Sequence, residues 1–150
     1  MFVMEGRAAD THELLANTGQ SAGEALFTVR MAPGNCTAMS YLGAIAADSS
    51  RWAVAAAESS RAATCHEEAR EASRKERAEA EQGRDGTSAV AQDITRRIIE
   101  SDRQAARAWL NAAGAGLRAG DRDAAVAHAK RAAANEEFKG QAEALLRPAR

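Results

Sequence analysis

The chain has 150 residues and a formal net charge of −1, which suits one domain and excludes strong electrostatic attraction to nucleic acid or an acidic membrane. Alanine supplies much of the 45% hydrophobic content, and alanine favours helix while burying little surface. Arginine is far commoner than lysine, which is typical of a GC-rich bacterial genome. We therefore expect a bacterial protein with abundant helix, close helix–helix contacts and a thin core.

Residues 1–35 form an N-terminal segment with neither the basic start nor the apolar run of a signal peptide. No stretch of the chain approaches the roughly 20 apolar residues of a membrane span. Cys36 and Cys65 are too few for a disulfide framework, so their thiols are expected to be reduced. These features predict a soluble, cytoplasmic protein with no membrane partner.

Two helices joined by a turn are predicted for residues 39–63. Asp48, Ser49 and Ser50 mark the turn, and Ala55 and Ala62 lie seven residues apart on one face of the second helix. The next predicted helix, residues 66–82, consists mainly of charged residues and alanine. Its mixed charges are typical of a solvated surface, or of a groove face that selects a charged peptide.

Residues 86–109 are predicted to contain a further helix and then a short turn into the helix over residues 103–118. Trp109 in that helix is predicted to be a packing residue. Gly120 then ends this helix, and Asp121 can cap the one that follows. In that following helix small residues share one face and would permit close helix contact: Ala125, Ala129 and Ala132.

These helix–turn–helix units recur with a period of 34 residues, as the spacing of Gly86 to Gly120 and of Ala91 to Ala125 shows. The period, together with Trp109 and the alanines of the last unit, resembles the tetratricopeptide repeat (TPR) family. The resemblance covers roughly residues 36–139. It implies an all-α solenoid of about three antiparallel helix pairs over residues 36–150, preceded by a degenerate half-repeat near residues 22–29.

A last helix is predicted for residues 136–147, where apolar residues fall on one face. Solenoids need a capping helix to cover the open end of the stack, and this segment offers four residues for the purpose: Phe138, Ala142, Leu145 and Leu146.

The resemblance also implies where a partner would bind. In the TPR family an asparagine at the position of Asn111 often faces the concave surface and bonds the backbone of a bound peptide. The same alignment places residues from three units in the groove, namely Tyr41, Ser73, Arg77, Arg84, Arg107, Asn111, Gly114 and Arg118. The arginines in this set favour an acidic segment or a C-terminal carboxylate.

Sequence patterns of catalysis and of cofactor binding are missing. Cys65 and His66 stand without further ligands at metal-binding spacing, and His128 has no acid or nucleophile at a telling distance. Gly114 and Gly116 follow no predicted strand, which a nucleotide-binding loop requires. We predict no catalytic residues, no metal and no cofactor.

The sequence thus predicts a non-catalytic module that binds a peptide or helix of another protein in a concave groove, as an adaptor, scaffold or chaperone does. The alternative is a structural protein that forms homo-oligomers through its alanine faces and the Leu145-Leu146 end.

Overall fold

The computed structural model describes residues 34–83 and 89–148, and within these ranges the chain is all-α, as predicted. The helices are α1 (Cys36–Asp48), α2 (Trp52–Gln82), α3 (Ala89–Arg118), α4 (Arg122–Ala133) and α5 (Glu136–Leu146). None of these helices combines the length and the apolar character needed to cross a membrane. The predicted half-repeat near residues 22–29 and the predicted groove residue Arg84 lie outside the described residues.

Two of the helices are longer than the sequence predicted. The expected break near residue 66 is absent, since α2 runs unbroken for 31 residues, and the expected turn before Arg103 is absent, since α3 runs unbroken for 30 residues. Neither helix contains proline, α2 contains no glycine, and the first glycine of α3 is Gly114. No residue that breaks helices therefore occurs at either expected break. Asp102, which precedes Arg103, lies within α3, and its side chain accepts hydrogen bonds from Arg70 of α2 and from Asn135, the cap of α5.

The ends of the helices follow local chemistry. Asn35 caps α1 by accepting a hydrogen bond from the Ala38 N–H at 3.0 Å, and Asp121 caps α4 by accepting one from the Ala124 N–H at 3.0 Å. Gly120 adopts a φ of 83° after α3, a conformation that favours glycine. The predicted α3–α4 boundary is confirmed, as is the predicted turn between α1 and α2.

The antiparallel pair of α2 and α3 organises the molecule. Contacts between Arg70 and Asp102, and between Glu76 and Arg97, fix the register of the two helices. The helix α1 packs on α2, α4 packs on α3, and α5 packs on both α4 and α3. Beyond the Arg70–Asp102 contact, residues 71–83 and 89–101 continue as a two-helix hairpin that we call the arm.

The core lies beside the second half of α3 and consists mainly of small residues. Ala125, Ala129 and Ala132 are fully buried, as predicted for the close face of α4. The larger side chains of the main cluster include Met39, Trp109, Leu110 and Phe138. The predicted capping helix is present as α5, and Leu145 and Leu146 are half-buried against the same cluster. In the arm, Ile94 is the fully buried large side chain.

The expectation of reduced thiols is wrong. Cys36, the first residue of α1, and Cys65, in the middle of α2, form a disulfide with their Cα atoms 5.4 Å apart. The two residues are 29 positions apart in the sequence, and the packing of α1 against α2 brings them together. Two isolated cysteines carry no spacing signal, so this pairing depends on the tertiary structure.

Candidate functional site

A narrow open stripe runs along the most buried part of α3. From residue 105 to residue 116 every residue is buried except Asn111 and Gly114, which are half-buried and three positions apart on one face. A Cβ atom added at Gly114 would meet no heavy atom within 4 Å. By contrast, a Cβ atom at Gly116 would lie 3.3 Å from the Cβ of Ala125. The two glycines therefore have different roles, Gly116 in packing and Gly114 in leaving the surface open.

An arginine lies toward each end of this stripe. The guanidinium of Arg118 lies 4.6 Å from the ring centre of Trp52, in an exposed position at the end of α3. The guanidinium of Arg107 lies 5.8 Å from the ring centre of Phe138, and Arg107 is only 8% exposed. Arg118 is therefore accessible, whereas α5 covers Arg107.

The other predicted groove residues do not join this stripe. Arg77 lies in the arm and forms an ion pair with Glu81 of its own helix at 3.0 Å. About 37 Å of helix separates Arg77 from Trp52, the residue under Arg118, at 1.5 Å per residue. Ser73 is buried in the arm, and Tyr41 is half-buried on α1.

A pocket opens on the opposite side of α3, where the arm meets the rest of the chain. Trp109 is its apolar floor, and Asn111 points about 200° away around the helix. The pocket has a volume of about 260 Å³, close to the lower limit for ligand sites. Its polar lining comes from α2, α3, α4 and the α4–α5 connection: Glu67, Arg70, Asp102, Arg131 and Asn135.

A hydrogen-bonded network holds this lining in place. The indole N–H of Trp109 donates to Glu67, and Arg70 donates to Asp102. Asp102 also accepts a hydrogen bond from the Asn135 amide at 2.7 Å. Asp102 therefore connects α2, α3 and the start of α5, at the point where the arm leaves the core.

The electrostatics of the pocket depend on the two arginines. Burial by itself would lower the pKa of Arg70, but the hydrogen bond and the charge of Asp102 outweigh burial and raise that pKa. The Arg131 guanidinium lies 4.5 Å from the ring centre of Trp109, and the His128 ring stacks on the same indole at 5.1 Å. Burial, followed by the positive charge of Arg131, lowers the pKa of His128.

Sequence reasoning missed this pocket, because its residues come from four separate segments. Trp109 was predicted to be a packing residue, and its 3% exposure confirms this. His128 and Arg131 are three positions apart, which places them on one face of α4. Nothing in the sequence indicates that this face lies over Trp109.

The site belongs to an all-α protein with polar groups gathered around a helix junction. In the described ranges, residues 34–83 and 89–148, no group of three or more histidine, cysteine, aspartate or glutamate side chains could hold a metal ion. Comparison with protein-family models, with characterised proteins and with solved structures found no match to the chain.

Proposed function

We propose that the chain is a non-catalytic helical module that binds a segment of a partner protein along the stripe of Asn111, Gly114 and Arg118. The observation that carries the proposal is the open position of Gly114 within the most buried part of α3. A helix that is covered elsewhere but leaves one polar stripe open offers a floor on which an extended or helical peptide can lie.

The chemistry of the stripe favours an acidic partner segment. Arg118 is exposed and can donate several charge-assisted hydrogen bonds to a carboxylate. Asn111 is half-buried on the same face, and the TPR resemblance implies that an asparagine at this position bonds the backbone of a bound peptide. The absence of a side chain at Gly114 lets a peptide backbone approach α3 closely.

A TPR-like arrangement is part of this proposal for the last unit, α3 to α5. That unit has the features that the resemblance requires: a buried Trp109, a turn at Gly120, a fully buried Ala125 and a following helix. The long continuous α2 and α3 instead replace the middle unit with the arm. The proposed module is thus one helix pair with a cap, extended by a hairpin.

The disulfide does not fit the cytoplasmic location expected from the sequence. Disulfides persist mainly in oxidising compartments, and the Cys36–Cys65 bond argues for such a compartment. The alternative function is self-assembly through alanine faces and the Leu145-Leu146 end. It has less surface available to it, because Ala125, Ala129 and Ala132 are fully buried, and Leu145 and Leu146 are half-buried against the core of the same chain.

Gly114→Leu is the variant that tests the proposal. Leucine at this position meets open space, so it should fill the stripe without disturbing the core. A random peptide library displayed on phage should yield peptides enriched in aspartate and glutamate on the wild-type chain. We expect Gly114→Leu to weaken the binding of the selected peptides at least about tenfold, which corresponds to 1.4 kcal/mol.

The control is Gly140→Leu in α5, because a Cβ atom at Gly140 also meets no heavy atom within 4 Å. This variant adds the same side chain away from the stripe and should bind the selected peptides as the wild type does. Equal binding by the wild type and Gly114→Leu would refute the stripe as the binding surface, as would failure to select any peptide.

A further inference from the structure

We propose that the pocket over Trp109 is a second binding site, independent of the α3 stripe, and that it takes an oxyanion group, a carboxylate or a phosphate, at Arg131. The pocket opens on the side of α3 opposite Asn111, so a ligand here and a peptide on the stripe would not compete for the same surface.

Arg131 is the group that would bind the anion. The structure gives it the face of Trp109 as a contact, and among the described residues it shows no carboxylate within ion-pair distance. A guanidinium carries five N–H donors, and its contact with a ring face does not use them as donors to a carboxylate. They can therefore bind a carboxylate or a phosphate through two parallel hydrogen bonds.

The carboxylates of the pocket are already engaged by neighbouring donors. Both oxygens of Asp102 accept hydrogen bonds, one from Arg70 and one from Asn135, and Glu67 accepts the indole N–H of Trp109. Each carboxylate is therefore stabilised by a donor of the protein, and neither of them forms an ion pair with Arg131. Arg70 lines the same pocket, but its charge is paired with that of Asp102, so Arg131 supplies the cation for the ligand.

The size of the pocket limits the ligand. A volume of about 260 Å³ holds a small anion or a single acidic side chain, but not a dinucleotide. Ala105, Ala106 and Ala134 supply small apolar walls, which leave room for the stem that carries the anionic group.

The two tryptophans of the chain allow a direct test by fluorescence. Trp52 lies under Arg118 at the stripe, so the Trp52→Phe variant leaves Trp109 as the sole tryptophan emitter, beside the pocket. Sodium phosphate and sodium acetate are titrated separately into this variant at pH 7.5, with sodium chloride holding the ionic strength constant. We expect a saturable change in Trp109 emission, because an anion on Arg131 alters the charge above the ring.

The matched pair of variants in the Trp52→Phe background is Arg131→Gln and Lys130→Gln, which each remove one positive charge from the same turn of α4. Lys130 does not line the pocket. Arg131→Gln should weaken binding at least about tenfold, and Lys130→Gln should leave it unchanged. Circular dichroism of both variants checks that the helices are intact.

A second readout is the pKa of His128, followed by NMR. The charge of Arg131 contributes to lowering this pKa, so a bound anion should raise it again. Saturation by both salts supports a general oxyanion site, whereas saturation by phosphate alone or by acetate alone identifies a phosphate or a carboxylate as the ligand group. The proposal is overturned by no saturation with either salt, by an equal response in Arg131→Gln, or by an equal loss in Lys130→Gln.

Discussion

At the scale of single residues, two glycines of one helix turn show how context sets the role of a residue type. Gly114 and Gly116 are identical in chemistry and two positions apart, yet one borders open space and the other borders Ala125 of α4. The sequence predicts a groove position for Gly114 and none for Gly116, and it excludes both from a nucleotide-binding loop. The difference follows from which face of α3 the neighbouring helices cover.

The same substitution at these two glycines should therefore have opposite effects on stability. Gly116→Leu forces α3 and α4 apart and should lower the free energy of unfolding by about 1–3 kcal/mol. Gly114→Leu replaces a poor helix former in open space and should raise it by about 0.5–1 kcal/mol. Urea unfolding followed by circular dichroism measures both. Equal stability of the two variants would contradict the close contact of α3 with α4.

At the scale of helices, α1 is held to the rest of the chain by its packing on α2 and by the Cys36–Cys65 disulfide. Closing a loop of this length restricts the unfolded chain, which is the usual account of how a disulfide stabilises the folded state. The bond joins the start of α1 to α2, so it should matter most for keeping α1 in place.

We expect the double variant Cys36→Ser, Cys65→Ser to lose about 2–4 kcal/mol in the free energy of unfolding. Dithiothreitol should lower the stability of the wild type by a similar amount and leave the variant unchanged, which separates the disulfide from the effect of the serine side chains. If alkylation of the unfolded, unreduced wild type modifies both cysteines, the disulfide is absent and this prediction fails.

At the scale of the whole molecule, the chain divides into a well-packed part around the second half of α3 and the arm. The arm buries few side chains, with Ile94 at 1% exposed and Ala91 and Ser73 also buried, while Val90 and Ile99 are each 62% exposed. Its remaining contacts include exposed ion pairs such as Glu76 with Arg97, which contribute little. The arm should therefore open independently of the rest.

Ile94→Ala tests this division. The substitution should destabilise the arm by about 2–5 kcal/mol, and hydrogen exchange measured by mass spectrometry should show faster exchange in residues 71–83 and 89–101. Residues 105–116 should keep their protection. Ile99→Ala is the control, because its side chain is largely exposed and its loss should change little. A uniform loss of protection in Ile94→Ala would show that arm and core unfold together.

The sequence by itself determined the features that depend on neighbouring residues. The all-α class, the turns at residues 48–50 and at Gly120, the Asp121 cap and the helix from Glu136 were all predicted, because capping, glycine conformation and helical spacing act within a few positions. Trp109 was also predicted to be buried, since large apolar residues at helical spacing mark the covered face of a helix.

Only the tertiary structure decided what depends on residues far apart in the chain. The disulfide joins positions 29 apart, and the hydrogen bonds of Asp102 reach residues 32 and 33 positions away. Where the sequence predicts a turn before Arg103, α3 is continuous, and the contacts of Asp102 mark the junction of the arm. The pocket beside it is lined by residues from four segments. No local pattern encodes such a site, because its parts meet only when α2, α3 and α4 pack together.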